Sequence, residues 1–176
     1  MSSSCLALIG YRGTGKTTVA QQLARMLGWD WVDADVEIEL AAGKSIAAIF
    51  ADEGEQAFRD REVEVVAALL EREKTILSCG GGAILREATR ERLKSCRGVV
   101  WLKASVETIH SRVSDDQTTA DRRPNLTNAG GRTEIEEVLA ARTPLYAECA
   151  TLEVDTEDKA PAEIAEEILG KLGLVS

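Results

Sequence analysis

Short, continuous apolar runs alternate along this chain with longer stretches in which apolar positions recur every three to four residues. The runs are "CLALIG" (5–10), "WDWV" (29–32), "TILSC" (75–79), "GVVWLK" (98–103) and "ATLEVD" (150–155). Such runs fit strands buried on both faces of a parallel sheet. Helical periodicity covers Lys16–Leu27, 36–43, 45–54, Glu55–Arg72, Glu87–Leu93, Val106–Arg112, Glu134–Tyr146 and Ala162–Leu172. The alternation predicts an α/β fold in three layers, a five-stranded parallel sheet flanked by helices. Residues 113–132, "VSDDQTTADRRPNLTNAGGR", interrupt it: they are polar, carry Pro124 and Gly130-Gly131, and show no period. A long aperiodic insert in a compact domain is expected to be a working lid, mobile without ligand. With no internal repeat, residues 1–176 read as a single domain.

Charge narrows the chemistry. A net charge of −9 excludes a nucleic-acid surface, which needs a basic face. Any phosphate chemistry must therefore use a few local cations. Cys5, Cys79, Cys96 and Cys149 are scattered and His110 is the only histidine, which is neither a zinc pattern nor a disulfide framework. The apolar start "MSSSCLALIG" lacks a basic n-region and is too short to span a membrane. The expectation is a cytoplasmic protein in a reducing compartment, acting as a monomer.

The strongest local signal is "GYRGTGKTT" (10–18), a G-x-x-x-x-G-K-[ST] motif between an expected strand and an expected helix. Glycines there let backbone N–H groups turn inward around phosphates, and the helix N-terminus adds partial positive charge. Gly13, Thr14, Gly15, Lys16, Thr17 and Thr18 are thus the expected ATP site. Lys16 reaches the β/γ oxygens and the Thr17 hydroxyl ligates Mg²⁺.

Two aspartates close the second strand in "DWVDADVEIE" (30–39). Asp33 is the candidate to hold Mg²⁺ through its water shell, since that ion keeps several waters. Asp35 either meets an acceptor hydroxyl or merely caps a helix beginning near Val36. In "GEQAFRDRE" (54–62), Arg59 and Glu62 stand three apart on a helix, so the carboxylate can orient the guanidinium for bidentate capture of an acid. "CGGGAI" (79–84) offers bare backbone at Gly80, Gly81 and Gly82 for a closely approaching ligand. Cys79 reads as a small buried residue, since no histidine lies near it in sequence.

Together the P-loop, Asp33–Asp35, "GEQAFRDRE", the glycines at 80–82, "RRP" at 122–124 and "RTPLY" at 142–146 resemble the shikimate kinase family, in the family's order and over most of the chain. The resemblance implies strand order 2-3-1-4-5, a substrate-binding helical region at about 34–62, and transfer of the ATP γ-phosphate to the 3-hydroxyl of shikimate, a step toward chorismate. It implies that Asp35 contacts the ring hydroxyls and acts as base, that Arg59 and Arg142 clamp the substrate carboxylate, and that the glycines add backbone contact. Arg123 would meet the phosphates from the lid, Arg112 would flank the adenine, and 154–156 would lie on the adenine side. Asn125 departs from the family, which usually has leucine there, and the lid is longer than expected. The nearest rivals are a kinase of another small hydroxy acid such as gluconate and, from another class, a non-catalytic nucleotide switch.

Overall fold

The computed structural model describes residues 3–116 and 130–174. Strands β1 (Ser3–Ile9), β2 (Asp30–Asp33), β3 (Thr75–Ser78), β4 (Cys96–Lys103) and β5 (Leu152–Asp155) form a parallel sheet in the order β2-β3-β1-β4-β5. This is the expected order. The helices are α1 (Lys16–Leu27), α2 (Ala34–Ala42), α3 (Ile46–Leu70), α4 (Glu87–Leu93), α5 (Val106–Asp115), α6 (Gly131–Cys149) and α7 (Pro161–Leu172). A short 3-10 turn at Ala83–Leu85, not anticipated from the sequence, precedes α4.

Strand alternation sorts the core onto the two faces of the sheet. Cys5, Ala7 and Ile9 of β1 join Val66, Leu69, Leu93 and Tyr146 on one face. Leu6 and Leu8 join Val19, Leu23, Ile164 and Ile168, from α1 and α7, on the other. Both faces of β1 are therefore dry, which is why its sequence is a continuous apolar run rather than an alternating one. Burying each such Leu or Ile contributes about 1.5–3 kcal/mol.

Helix ends follow local chemistry. The Ser45 hydroxyl caps α3 by accepting from Ala48 N at 3.1 Å, and Ser105 caps α5 the same way from Thr108 N at 3.1 Å. The two helices expected over 45–72 form one span bent at Gly54, whose φ of 85° is not helical. Several boundaries differ from expectation. β2 runs one residue further, to Asp33, and α2 begins at Ala34 rather than near Val36. α5 extends to Asp115 and α6 starts at Gly131, so helices take both ends of the expected lid. Val113 supports the first extension by packing with Ile109 and Tyr11, and the Arg132–Glu136 pair at 2.9 Å supports the second. Among the described residues no helix is long and apolar enough to cross a membrane.

Candidate active site

Register brings the chemistry together. Leu8 of β1 and Asp33 of β2 both pair with Ser78 of β3, so these strands end at one level. The segments that follow them meet at the carboxyl edge of the sheet, where open α/β sheets form their ligand crevice. The result is a cleft of about 870 Å³, counting its open mouth. Gly13, Gly15, Lys16, Thr17 and Thr18 line it from the P-loop, Asp33 and Asp35 from the β2–α2 junction, and Gly80 and Gly81 from the end of β3.

The P-loop has the shape of an anion cradle. Gly10, at φ 143°, passes so close to β4 that a Cβ would stand 2.6 Å from the Leu102 carbonyl oxygen. Lys16 Nζ donates to the carbonyls of Gly10 at 2.9 Å and Tyr11 at 2.8 Å, which folds the ammonium back over the loop. The Thr14 side chain turns inward, its hydroxyl donating to Tyr11 O at 2.8 Å, so only its backbone can face a phosphate. Arg112 reaches the loop from α5 and donates to Gly13 O at 3.1 Å without lining the cleft. Thr156, at the expected adenine side, is buried and donates to Lys103 O at 2.8 Å.

The two aspartates have separate surroundings. Asp33, not Asp35, caps α2: its Oδ1 accepts from Asp35 N at 2.9 Å and Val36 N at 3.4 Å. Its Oδ2 accepts from the Thr17 hydroxyl at 2.9 Å, with the Ser78 hydroxyl 3.4 Å from the same threonine oxygen. This all-oxygen set suits a hard divalent cation that keeps most of its waters. Asp35 lies in the first turn of α2 and lines the cleft, so the chain has already turned helical at the second carboxylate.

Two arginines meet the glycine triplet. Arg59 is 4% exposed; its Nη1 donates to buried Glu62 at 2.7 Å, its Nη2 lies 3.6 Å from Glu55, and its guanidinium stacks 5.0 Å from the Phe58 ring centroid. A buried ion pair is weak evidence of stabilisation but fixes orientation. Gly82 lies so close that a Cβ there would stand 2.5–2.7 Å from this guanidinium. A Cβ on Gly81 would stand 3.4 Å from Arg142 Nη1, and Arg142 is itself buried, 6.0 Å from the Tyr11 ring centroid. The triplet is therefore a seat for both guanidinium groups as well as bare backbone.

That seat gives a test. Gly82→Ala should push the Arg59 guanidinium off its position and, at the 1.5–3 kcal/mol typical of a charged hydrogen bond, weaken acceptor binding by about 10–100-fold. Nucleotide affinity should change little. Paired titrations measure both, and unchanged acceptor affinity would mean that the guanidinium does not bind the acceptor from this position.

Burial pushes the Cys79 thiol far up, with the neighbouring Cys5 and Glu62 adding to it, so it stays a neutral packing residue as its sequence context suggests. Arg12, Ser78, Glu134 and Tyr146 also shape the site and escaped the sequence reading. Arg12 and Ser78 line the cleft, Glu134 faces Arg12, and the Tyr146 hydroxyl donates to Gly81 O at 2.5 Å. Arg123 and Asn125 lie outside the described residues.

Comparison with known proteins agrees with this geometry. The family model for shikimate kinase matches residues 12–173. The shikimate kinase of Rhodopirellula baltica is 44% identical over 93% of this chain and 88% of its own length. That of Pseudomonas fluorescens is 41% identical over 95% of each. A solved shikimate kinase from Acinetobacter baumannii, in complex with shikimate, is 36% identical and superposes with a TM-score of 0.91, covering 98% of this chain and 94% of that one. A gluconokinase from Sinorhizobium meliloti superposes with a TM-score of 0.66 at 18% identity, a likeness of fold alone. Sequence, fold and the two-sided cleft agree: this chain belongs to the shikimate kinase family.

Proposed function

We propose that the cleft works as two half-sites, a P-loop half for ATP and an arginine–glycine half for the acid, with Asp35 between them. The chain is an ATP-dependent shikimate kinase, which moves the γ-phosphate of ATP to the 3-hydroxyl of shikimate and leaves ADP and shikimate 3-phosphate. In the reaction the hydroxyl oxygen forms a bond to phosphorus, the bond from phosphorus to the β-phosphate oxygen breaks, and the hydroxyl proton passes to a base. Asp35 is that base and orients the hydroxyl. Arg59 and Arg142 grip the carboxylate, with Gly80, Gly81 and Gly82 beside it. Lys16 exchanges its two carbonyl partners for phosphate oxygens, and Arg112 and Arg123 complete the nucleotide side, the latter on its sequence position alone.

Thr17 and Asp33 are the groups that would hold Mg²⁺, Asp33 through water. The ion supplies charge neutralisation on the β- and γ-phosphates. This reading takes 1–176 as one kinase domain, with 34–62 as the acceptor-binding region and 113–132 as the lid. It also takes the protein as a cytoplasmic monomer. Its four buried cysteines carry free thiols, which suits a reducing compartment.

One observation carries the acceptor assignment. Two buried guanidinium groups from different helices, α3 and α6, converge on one glycine triplet beside the P-loop. Replacing either arginine with lysine keeps the charge and loses the planar fork. Arg59→Lys and Arg142→Lys should each weaken shikimate binding by about tenfold or more while ATP affinity stays nearly constant. Calorimetric titration of each variant with both ligands decides it, and equal loss of both affinities would refute the two-half division.

A further inference from the structure

Arg12 and Glu134 carry charge at the site and have no part in the roles assigned above. Arg12 sits at a variable position of the P-loop motif, yet the residue lines the same cleft as Lys16, Asp35 and Gly81, and its side chain reaches toward α6. Only 13% of that side chain is exposed, and its Nη2 lies 3.9 Å from an oxygen of Glu134, whose side chain is 2% exposed. A buried carboxylate is costly to keep unless it is paired, so Glu134 is no solvated helix residue. Steps of four residues along α6 carry the face from Glu134 to Arg142 and Tyr146.

That face fixes several parts of the site at once. The Tyr146 hydroxyl holds Gly81 O, while Arg142 Nη1 and the backbone N of Arg12 each lie 3.4 Å from where a Gly81 Cβ would stand. Burial pushes the Tyr11 phenol up, the nearby Arg12 and Arg142 pull it back, and Glu134 pushes it up, so all three charges lie within reach of one buried ring. Arg12, tethered to α6 through Glu134, thus lines the same cleft as the P-loop lysine and Asp35. At 3.9 Å its ion pair is looser than a hydrogen bond, so it can add a phosphate oxygen without breaking a tight contact.

We propose that Arg12 is a further catalytic residue, contacting the phosphoryl group as it passes from ATP to the acceptor hydroxyl, and that Glu134 is the positioning residue that holds it there. Arg12 donates hydrogen bonds to the equatorial oxygens and takes no proton, so the bonds made and broken are those already given. Charge spread over those oxygens is what an arginine stabilises in phosphoryl transfer. The inference rests on the cleft being the ATP and shikimate site.

The test is a double-mutant cycle in steady-state kinetics with thermal denaturation alongside. Arg12→Met should lower kcat on the order of 10²-fold, with KM for ATP and shikimate little changed. Glu134→Gln should lower kcat by about tenfold in the parent and add nothing in the Arg12→Met background. Should Glu134→Gln fail to fold, Glu134→Asp replaces it with the same expectation. Losses that multiply, accompanied by a lowered melting temperature, would make Glu134 merely structural and overturn the pairing. A kcat for Arg12→Met within about twofold of the parent would remove Arg12 from the reaction. Lys16→Ala and Arg59→Lys run beside them: if these lose function while Arg12→Met does not, the Arg12 assignment alone falls. If these are silent too, the site reading itself fails.

Discussion

Lys16→Ala is expected to lose activity by about 10³-fold or more, the scale of removing a cation from a transferring phosphoryl group. The ammonium does two jobs. It already satisfies the carbonyls of Gly10 and Tyr11, so it helps to set the loop that cradles the phosphates. Alanine leaves the buried Gly10 carbonyl short of a donor, a cost of about 1–3 kcal/mol if nothing replaces it, while the Tyr11 carbonyl keeps the Thr14 hydroxyl. A lowered melting temperature should accompany the loss of turnover. The sheet core does not depend on the lysine, so the variant should still fold and bind shikimate through Arg59 and Arg142. Coupled ADP release measures turnover, and calorimetry measures the two affinities. Turnover near that of the parent would refute the P-loop assignment, and loss of shikimate binding together with ATP binding would mean a collapsed site.

The parts of this molecule that read from sequence are those governed by neighbours along the chain. The dry faces of β1 made a continuous apolar run, and the strained turn at Gly10 with the helix opening at Lys16 made the P-loop motif. The Arg59–Glu62 pair was legible because it is one helical turn long. The Arg12–Glu134 pair was not, because nothing local to either residue shows that α6 returns over the P-loop. The glycine triplet was half legible. Its bare backbone was evident, but the sequence does not show that Gly82 leaves room for a guanidinium from α3. The aspartates were limited by a boundary: a shift of two residues in the start of α2 moves the cap from Asp35 to Asp33.

That shift sharpens the expectation for Asp35→Asn. With the cap made by Asp33 Oδ1, the ordinary structural role for Asp35 is already filled. As a first-turn carboxylate Asp35 also interacts with the helix dipole, worth about 0.3–1 kcal/mol and partly kept by a neutral amide. Asparagine should therefore leave the fold intact and lower stability only slightly. Turnover should fall by about 10²–10⁴-fold, the usual worth of a positioned general base. A loose transition state, in which the proton leaves late, puts the loss toward the lower end of that range. Asp33→Asn is the matching control. Asparagine caps about as well as aspartate, so α2 should survive, while the oxygen facing Thr17 loses its charge. Its defect should shrink as Mg²⁺ is raised, and that of Asp35→Asn should not. Magnesium titrations of both variants under saturating ATP and shikimate separate the two jobs. An Asp35→Asn enzyme that turns over shikimate nearly as fast as the parent, or one that excess Mg²⁺ restores, would take Asp35 out of the proton-transfer step.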